Sequence, residues 1–376
     1  MFNSSELSEA MSLFEDELSK KIFIDRLAYS ISDDKRFLLR MIQDMMESDD
    51  VYLSSTNSTL IKHTVQWLEK GTHKKIALFG AADTYCVRTL LQLLYEYGVI
   101  NKEWSEVFFV DNDVHKQGKV FDHHNPNMRL PIYAPEKLKA DIDNTFVFIT
   151  VATYNNYVNI RRQLQGYGFN EDSITGAIPC YEYNLGNIYF DKVMKPVKGD
   201  VFVDVGAYDM WNSEQFINWN PEYEHIYALE ADPLSYEKCK AKLPDKTDLY
   251  PYGAWSENGR ISFLSAPNGE YGGSRIDNKG GSSIETVALD NLLEGKKVSI
   301  LKMDIEGSEI EALKGAQRII REQKPCLTIS AYHKKDDIVT LPLYIRSLNE
   351  DYRFFLRHHT YGIWDTVLYA IDKSRL

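Results

Sequence analysis

The stretch VFVDVGAYDMWNSEQF at residues 201–216 constrains the fold more than any other segment of this chain. Its apolar start predicts a buried strand with Asp204 near its end, and Gly206 marks a turn into a helix. A second predicted strand, IYALEADP, ends in Glu230, which lies 24 residues after Gly206. A nucleotide-binding turn and the acid that binds its ribose are separated by a similar interval. The spacing therefore predicts a parallel α/β unit with a nucleoside site.

The turn has one glycine and two nearby acids, which fits a nucleoside ligand without phosphates. A pyrophosphate needs further glycines and a positive helix terminus, whereas acids surround this turn. S-adenosylmethionine fits better, because its ribose hydroxyls suit a carboxylate and its ammonium and sulfonium groups are cationic. We predict it as the cofactor, with these residues as its contacts: Asp204, Gly206, Ala207, Glu230 and Ala231.

Later segments extend the parallel sheet. VSILKMDIEGSEIEALKGAQRII predicts a strand that ends at Asp304 and a helix after Gly307, with Ser308 as its cap. KPCLTISAYHKKDD predicts a further strand that leads to His333, and YRFFLRHHTYGIWDTVLYAI predicts a closing antiparallel hairpin. This is the sheet plan of class I methyltransferases. Ligands of open α/β sheets bind beyond the carboxyl ends of the strands, where four polar residues should surround one crevice: Asp204, Glu230, Asp304 and His333.

The chain resembles the FkbM family of methyltransferases over about residues 195–371. The resemblance rests on FVDVGAYD, LEADP, ETVALDNLL, LKMDIEGSEIEALKGA and the segment that begins YHKKDD, of which KMDIEGSE and YHK are the most specific. It implies transfer of a methyl group from S-adenosylmethionine. The acceptor implied by the family is usually a hydroxyl of a sugar or natural product, so O-methylation is expected rather than N- or C-methylation.

One departure from the family pattern lies directly after the turn. The family often has a glycine after GAYD, where this chain has Met210 and Trp211. The methionine end of the predicted cofactor pocket is therefore the part that the resemblance describes least. We expect Asp209 to cap the following helix rather than to contact the cofactor.

Methyl transfer to a hydroxyl needs a group that removes its proton, because a neutral alcohol is a poor nucleophile. His333 is the first candidate base, since it follows an apolar strand and its ordinary pKa suits the task. Asp304 is the rival, as base, as cofactor or acceptor contact, or as a metal ligand together with Glu306. A metal-free site is the expectation, and Lys302 is expected to orient Asp304 through an ion pair.

Other polar residues near the carboxyl terminus and in the middle of the chain have weaker claims. His358 and His359 are adjacent in a predicted strand, so their side chains face opposite sides and at most one faces the crevice. Arg357 is either a contact for an acidic acceptor or a surface charge. The DHHN stretch at 122–125 is expected to be a solvated loop rather than a metal site.

The middle of the chain, residues 71–182, alternates strands and helices and predicts a small parallel α/β domain. Its first turn, GAADTYC, has Gly80 but lacks the other glycines of a dinucleotide loop. Asp111 ends the second strand and is placed to hold a ribose, so the domain either binds a nucleotide-like ligand or is a scaffold. The segments FGA, FVDND and LPIYAPEKL resemble small Rossmann-like domains found beside sugar-modifying enzymes.

Residues 1–70 show apolar positions at helical spacing and predict a helical extension. Packing onto a neighbouring domain is the preferred interpretation of its apolar faces, with a cleft lining or a homo-oligomer as alternatives. The predicted organisation is therefore a helical extension at 1–70, a small α/β domain at 71–182 and a methyltransferase domain at 195–376.

Composition bounds the partners and the compartment. The formal net charge of -12 would repel a phosphate backbone, so nucleic acid is excluded as a partner. The sequence has no apolar run long enough to cross a bilayer and no apolar amino-terminal core, so we expect a cytoplasmic chain. The four cysteines show no CxxC pair and are expected to be buried thiols: Cys86, Cys180, Cys239 and Cys326.

The sequence thus predicts an α/β methyltransferase that acts on a small-molecule or glycan acceptor. Two alternatives stay open. In the first, the methyltransferase sheet is retained as a binding protein without catalysis, which Met210 and Trp211 would favour. In the second, the middle domain binds a nucleotide as part of an oxidoreductase, against which the degenerate GAADTYC turn argues.

Overall fold

The computed structural model describes residues 2–34, 36–47, 74–83, 85–96, 98–100, 106–123, 125–151, 154–176, 188–265, 275–276, 282–359 and 363–376. The chain divides into two compact units. One unit comprises Met1–Ile31 and Asn184–Leu376, and the other comprises Ser32–Tyr183. The predicted helical extension is therefore shared, because its first 31 residues lie in the unit that contains the carboxyl-terminal half of the chain.

The unit at Ser32–Tyr183 contains a five-stranded sheet in the order β3-β2-β1-β4-β5, with all neighbouring strands parallel. The apolar strand residues form a core with the helix at 154–167, which includes Phe79, Phe108, Ile149 and Leu164. The strands are β1 (Lys75–Phe79), β2 (Glu106–Val110), β3 (Ile132–Tyr133), β4 (Thr145–Ile149) and β5 (Ile174–Gly176), and the α-helices are α3 (Arg36–Glu47), α4 (Tyr85–Glu96) and α5 (Tyr154–Tyr167).

The other unit contains a seven-stranded sheet in the order β15-β16-β14-β13-β6-β7-β8. Five of these strands are parallel, and β16 runs antiparallel to both β14 and β15. The predicted α/β class with a parallel sheet and a closing antiparallel hairpin is confirmed. The strands are β6 (Val201–Val205), β7 (His225–Leu229), β8 (Thr247–Tyr250), β13 (Ile300–Met303), β14 (Cys326–Ser330), β15 (Tyr352–His358) and β16 (Thr366–Asp372).

Helices cover this sheet because its strands are apolar on both faces. They are α6 (Trp211–Trp219), α7 (Pro233–Ala241), α8 (Leu289–Leu292), α9 (Glu309–Lys314), α10 (Gln317–Gln323) and α11 (Asp337–Leu348). A small sheet that the sequence analysis did not predict lies between β8 and β13 in the chain. Its order is β11-β10-β12-β9, with β9 (Gly253–Ala254), β10 (Gly259–Leu264), β11 (Arg275–Ile276) and β12 (Ser282–Val287).

The first two helices, α1 (Ser4–Ser12) and α2 (Glu17–Ser32), belong to this unit: α1 contacts α11, and the chain from Phe14 to Ser19 contacts β15. The Arg357 guanidinium on β15 donates to both carboxylate oxygens of Asp16, at 3.3 and 2.7 Å. Ser19 Oγ accepts a hydrogen bond from the Leu356 N–H. Arg357 is buried, so it is neither the surface charge nor the acceptor contact that the sequence suggested. It fastens the amino-terminal helices to the sheet.

The structure also bears on the predictions about the cysteines and about membrane spans. Cys239 and Cys326 are free and buried, and burial raises the pKa of both thiols to about 12. The Cys86 side chain and Cys180 lie outside the described residues. Within the part of the chain that the structure describes, we find no helix whose length and apolar character would suit a membrane span.

Candidate active site

The candidate site lies where four neighbouring strands end. In the order β7-β6-β13-β14, these parallel strands bring their carboxyl ends to one edge of the sheet. Glu230 directly follows β7, Asp304 directly follows β13, and His333 lies three residues beyond β14. These predicted crevice residues are far apart in sequence, and the order of the strands in the sheet brings them to the same edge.

The turn after β6 requires glycine. Gly206 has a φ of +82°, and a Cβ at this position would lie 2.0 Å from the backbone oxygen of Asp304. The N–H groups of Gly206 and Ala207 both donate to the Leu229 carbonyl, at 3.0 and 3.1 Å. Ala207 is buried in a small apolar cluster with Met210 and Cys239. The turn is thus packed tightly between β7 and β13, and the Ala207 side chain faces the core.

Asp204 is held inside the protein by Lys302. The Lys302 Nζ lies 3.0 Å from Asp204 Oδ1 and donates a second hydrogen bond to the Gly206 carbonyl, at 2.7 Å. Ser213 Oγ donates to Asp204 Oδ2 at 2.7 Å. The predicted ion pair between Lys302 and Asp304 is wrong, because the register of β6 and β13 places Lys302 opposite Asp204. Asp204, which was predicted as a cofactor contact, is fully buried and holds Lys302 beside the turn.

Glu230 is the acid of the second strand. Its Oε2 accepts the Tyr208 N–H and its Oε1 accepts the Asp232 N–H, both at 2.8 Å. These bonds fix the carboxylate beside the turn, and each oxygen keeps a second lone pair for another donor. Burial raises the pKa of Glu230 above its ordinary value. Ala231, which follows it, is partly exposed.

Asp304 accepts hydrogen bonds from two tyrosines. The Tyr189 hydroxyl donates to Oδ2 at 2.9 Å, and the Tyr332 hydroxyl donates to Oδ1 at 3.1 Å. Burial alone would raise the pKa of Asp304, but the positive charges of Lys302 and His333 and the hydrogen bonds from Tyr189 and Ser330 hold it below its ordinary value. Asp304 is therefore ionised at neutral pH, and its hydrogen bonds hold the carboxylate in one orientation.

His333 is surrounded by carboxylates. Its Nδ1 lies 2.9 Å from Glu309 Oε1, and its Nε2 lies 3.5 Å from Asp304 Oδ1 and 3.6 Å from Glu306 Oε2. Burial alone would lower the pKa of the imidazole, but Glu309 and the two other acids raise the pKa of His333 to about 9. In the ion-free protein at neutral pH, His333 is thus a hydrogen-bond donor rather than a base.

Four residues of this cluster were not singled out from the sequence: Glu309, Tyr189, Tyr332 and Asp365. Glu309 Oε1 accepts the Ile305 N–H at 3.1 Å. Ser308 occupies the N-cap position of α9, as predicted, but its side chain makes no capping hydrogen bond. Burial and the charge of Asp304 raise the pKa of Asp365 to about 7. Only Tyr332 had a local signal, since it precedes His333 in the YHK segment.

Met210 explains how the turn tolerates the loss of a glycine. Its backbone is left-handed, with φ 68° and ψ 8°, which is a conformation that glycine adopts at least cost. Its side chain is fully buried and packs in the cluster with Ala207 and Cys239. Asp209 Oδ1 accepts the N–H of Trp211, the first residue of α6, as expected of a capping side chain. The turn keeps the backbone path that a glycine would give.

The remaining predicted polar residues are structural. His358 Nδ1 lies 2.9 Å from Thr366 Oγ1, and His359 Nε2 lies 2.9 Å from the Tyr369 hydroxyl. Both imidazoles are buried. In the unit at Ser32–Tyr183, Asp111 Oδ2 accepts the Ala81 N–H at 2.8 Å and pairs with Lys116 at 3.0 Å. Asp111, which was predicted to hold a ribose, therefore binds the backbone of the turn that follows β1.

The DHHN stretch is partly folded into that unit. His123 is buried and accepts the Asn125 N–H, whereas the Asp122 side chain is exposed and lies 3.7 Å from Arg129. His124 lies outside the described residues. Among the described residues, the three side chains spaced for a shared metal ion are those of Asp304, Glu309 and His333.

Comparison with known proteins points to one family of methyltransferases. The family model described as the methyltransferase FkbM domain matches residues 204–363. The hexuronic acid methyltransferase AglP of Haloferax volcanii is 31% identical over 101 residues, which are 24% of this chain and 41% of that protein. The chain thus matches less than half the length of this curated relative.

A solved structure extends the likeness in fold. The methyltransferase FkbM from Methylobacillus flagellatus KT aligns with a TM-score of 0.51 and 18% identity, over 88% of this chain and 98% of its own. That share of the chain is larger than either unit alone, so the alignment includes residues of both. At 18% identity, this match shows a shared fold. The resemblance to the FkbM family that the sequence predicted is confirmed.

Proposed function

Because residues 204–363 form an FkbM methyltransferase domain, we propose that this protein transfers the methyl group of S-adenosylmethionine to a hydroxyl group of a sugar acceptor. The observation that carries the proposal is the pair of acidic positions at one edge of the sheet. Glu230 follows β7, and the cluster around Asp304 follows β13, with only β6 between them. A cationic nucleoside placed across the turn would meet a carboxylate at each end.

The residues at the turn fit this cofactor. The Glu230 carboxylate is fixed by two backbone N–H groups and keeps lone pairs for ribose hydroxyls. Gly206 and Ala231 are partly exposed beside it. Asp304 would supply negative charge on the other side of the turn for the cationic groups of the cofactor. Asp204 and Ala207 act indirectly, since both are buried and hold the turn in place.

S-adenosylmethionine supplies an electrophilic methyl group, so the protein's own contribution is to hold the acceptor oxygen in line with it. Asp304 and His333 are the residues that we assign to the acceptor hydroxyl. The imidazolium of His333 donates a hydrogen bond to the oxygen, and an ionised carboxylate accepts the proton. A weak base suffices for that step, because a hydroxyl oxygen becomes strongly acidic as it gains a methyl group.

Asp304 and Asp365 are the carboxyl groups that we assign to accept that proton. Asp304 is ionised at neutral pH, and the pKa of Asp365 is raised to about 7. We assign the base role to these carboxylates rather than to His333, which the sequence had suggested first. The pKa of His333 is raised to about 9, so its imidazole already carries both protons at neutral pH.

A sugar acid is the acceptor class that we favour. The curated relative is named as a hexuronic acid methyltransferase, and its similarity covers part of its length. Hexuronic acids carry ring hydroxyls for methylation and a carboxylate for recognition. Uronic acids, their glycosides and the matching neutral hexoses therefore form the first acceptor panel.

The test begins with calorimetric titration of S-adenosylmethionine into the full chain. We expect saturable binding that Glu230→Ala weakens at least tenfold. Glu237→Ala is the matched control, because Glu237 is an exposed acid on α7, the helix that follows Glu230. Absence of binding to the wild-type protein would refute the proposal. NAD serves as the comparison ligand, and its binding in place of S-adenosylmethionine would favour a nucleotide-binding role for the other unit.

Acceptors are then screened with S-adenosylmethionine that carries a labelled methyl group. Transfer of the label to a uronic acid hydroxyl would support the full proposal. Binding of the cofactor without transfer to any acceptor, alongside tight binding of a sugar, would support a binding protein that has lost catalysis. The left-handed backbone at Met210 argues against that outcome, because the turn is preserved despite the substitution.

A further inference from the structure

The cluster around His333 has the spacing of a metal site. One nitrogen or oxygen atom from each of Asp304, Glu309 and His333 lies within 4.8 Å of the others. The His333 Nε2 is 3.5 Å from Asp304 Oδ1 and 3.6 Å from Glu306 Oε2. Bonds from a divalent ion to nitrogen or oxygen are about 2.0–2.2 Å, so two ligands of one ion lie at most about 4.4 Å apart. Both distances fall inside that limit.

Two buried atoms of this cluster lack a hydrogen-bond partner. The His333 side chain is only 8% exposed, and its Nε2 makes no hydrogen bond. Glu309 Oε2 is likewise buried without a partner, because the backbone N–H groups of Ile305 and Gly307 both donate to Oε1. A buried polar atom without a partner costs about 1–3 kcal/mol, which is why such atoms are rare. The Nε2 is directed at the carboxylates of Asp304 and Glu306, 3.5 and 3.6 Å away, but it forms a hydrogen bond with neither of them.

We propose that His333 Nε2 and the carboxylates of Asp304 and Glu306 bind a divalent first-row transition-metal ion such as Mn²⁺. Glu309 acts on the ion through the imidazole. Its Oε1 accepts the proton of Nδ1, at 2.9 Å, and so presents the Nε2 lone pair to the ion. A carboxylate behind a metal-binding histidine is a common arrangement that fixes the ring and raises its basicity.

The surroundings favour this ion class over others. One imidazole nitrogen with carboxylate oxygens suits Mn²⁺, Fe²⁺ or Zn²⁺, whereas Mg²⁺ and Ca²⁺ prefer ligand sets made of oxygen alone. The hydroxyls of Tyr189 and Tyr332 donate to Oδ2 and Oδ1 of Asp304 and so fix the orientation of its carboxylate. About a third of the Glu306 side chain is exposed, so an ion can reach the cluster from solvent.

The proposal that an ion binds here is argued from the geometry of the cluster alone. The role of that ion in catalysis, by contrast, rests on the proposed function. An ion between Asp304 and His333 would take the place of the Nε2 proton and bind the acceptor hydroxyl, whose pKa it would lower. The hydroxyl proton would then pass to a carboxyl group that is not a metal ligand, such as Asp365. The sequence favoured a metal-free site; the buried Nε2 without a hydrogen-bond partner is the observation that leads us to propose an ion instead.

Metal binding is measured on the full chain after treatment with EDTA and dialysis. We titrate Mn²⁺ and Zn²⁺ by calorimetry and follow bound Mn²⁺ by electron paramagnetic resonance. The wild-type protein should bind one ion per chain. His333→Gln should lose that stoichiometric binding, and Glu306→Gln, a change at a partly exposed side chain, should weaken it at least tenfold.

His225→Gln is the matched control. His225 pairs with Asp248 at 3.2 Å but lies at the other end of β7, away from the cluster, so this variant should bind the ion like the wild type. Absence of stoichiometric binding to the wild type, or unchanged binding in both Glu306→Gln and His333→Gln, would overturn the inference. If His333→Gln does not fold, Glu306→Gln decides. Titration of S-adenosylmethionine into the metal-free protein tests the proposed function separately.

Discussion

The Lys302 ammonium and the Asp204 carboxylate form an ion pair of 3.0 Å in which neither side chain is exposed to solvent. The pair joins β13 to β6, and the same ammonium donates to the Gly206 carbonyl at the turn. Lys302 therefore connects the strand that leads to Asp304 with the turn beside Glu230. The two halves of the candidate site are held in register by one buried side chain.

Removal of the Lys302 charge should destabilise the protein strongly. Breaking a buried pair leaves an uncompensated charge, so we expect Lys302→Met to lower the free energy of unfolding by about 3–5 kcal/mol in urea denaturation. Lys297→Met is the control, since Lys297 is an exposed lysine that pairs with Glu224, and it should cost less than about 1 kcal/mol. Equal effects of the two changes would contradict a supporting role for Lys302.

The parallel sheet and the crevice residues could be predicted because they depend on local patterns. Apolar runs that end in Asp204, Glu230 and Asp304 are visible in the sequence, and parallel strands bring such ends together. The partner of Lys302 could not be predicted, because it depends on the register between β6 and β13. A pattern within one strand places side chains on a face but does not identify which residue lies opposite on the neighbouring strand.

Met210 offers a test of backbone strain at the turn. Both Met210→Gly and Met210→Ala remove the buried side chain, so each should destabilise the protein by several kcal/mol. The left-handed backbone costs an alanine roughly 1–2 kcal/mol and costs glycine little. We therefore expect Met210→Gly to be the more stable variant by about 1 kcal/mol in urea denaturation. The opposite order would mean that the backbone at 210 is not strained.

The amino-terminal helices should depend on Arg357. Asp16→Asn removes the charge that faces this buried guanidinium, and hydrogen bonds to charged groups are worth about 1.5–3 kcal/mol, which is the loss that we expect. Glu15→Gln is the control, because Glu15 and its partner Arg353 are both partly exposed and pairs near the surface contribute about 0–1 kcal/mol. Hydrogen exchange should also be faster in α2 of the Asp16→Asn variant only. Similar results for both variants would argue against docking through Arg357.

Local sequence patterns identified some residues of the candidate site, but residues that reach it only through tertiary packing could not be predicted. His333 and Asp304 follow predicted strands and were found by position. Tyr189 lies more than a hundred residues from Asp304 in the chain, yet its hydroxyl donates to that carboxylate. Glu309 was hidden for another reason: an acid in the first turn of a helix is ordinarily a surface residue that favours the helix dipole. Its burial against His333 is a tertiary feature.

His359 should make the protein sensitive to acid. Burial lowers the pKa of His359 to about 3. The Tyr369 hydroxyl donates to the Ile188 carbonyl, so the neutral imidazole donates its Nε2–H to the Tyr369 oxygen. An unfolded histidine titrates near pH 6.5, about the ordinary value. Between pH 6.5 and 3 the unfolded chain therefore binds a proton that the folded protein excludes, and stability falls as the pH is lowered through this window.

The expected loss at pH 5, relative to pH 7.5, is about 2 kcal/mol from this residue, because each unit below the unfolded pKa contributes about 1.4 kcal/mol. His359→Gln keeps a side-chain donor for Tyr369 but has no titrating group. Its stability at pH 7.5 is expected to be lower than that of the wild type, whereas its further loss between pH 7.5 and 5 should be about 2 kcal/mol smaller. Urea denaturation of both proteins at the two pH values measures this difference. Parallel losses in the wild type and the variant would show that His359 does not stay neutral in the folded protein.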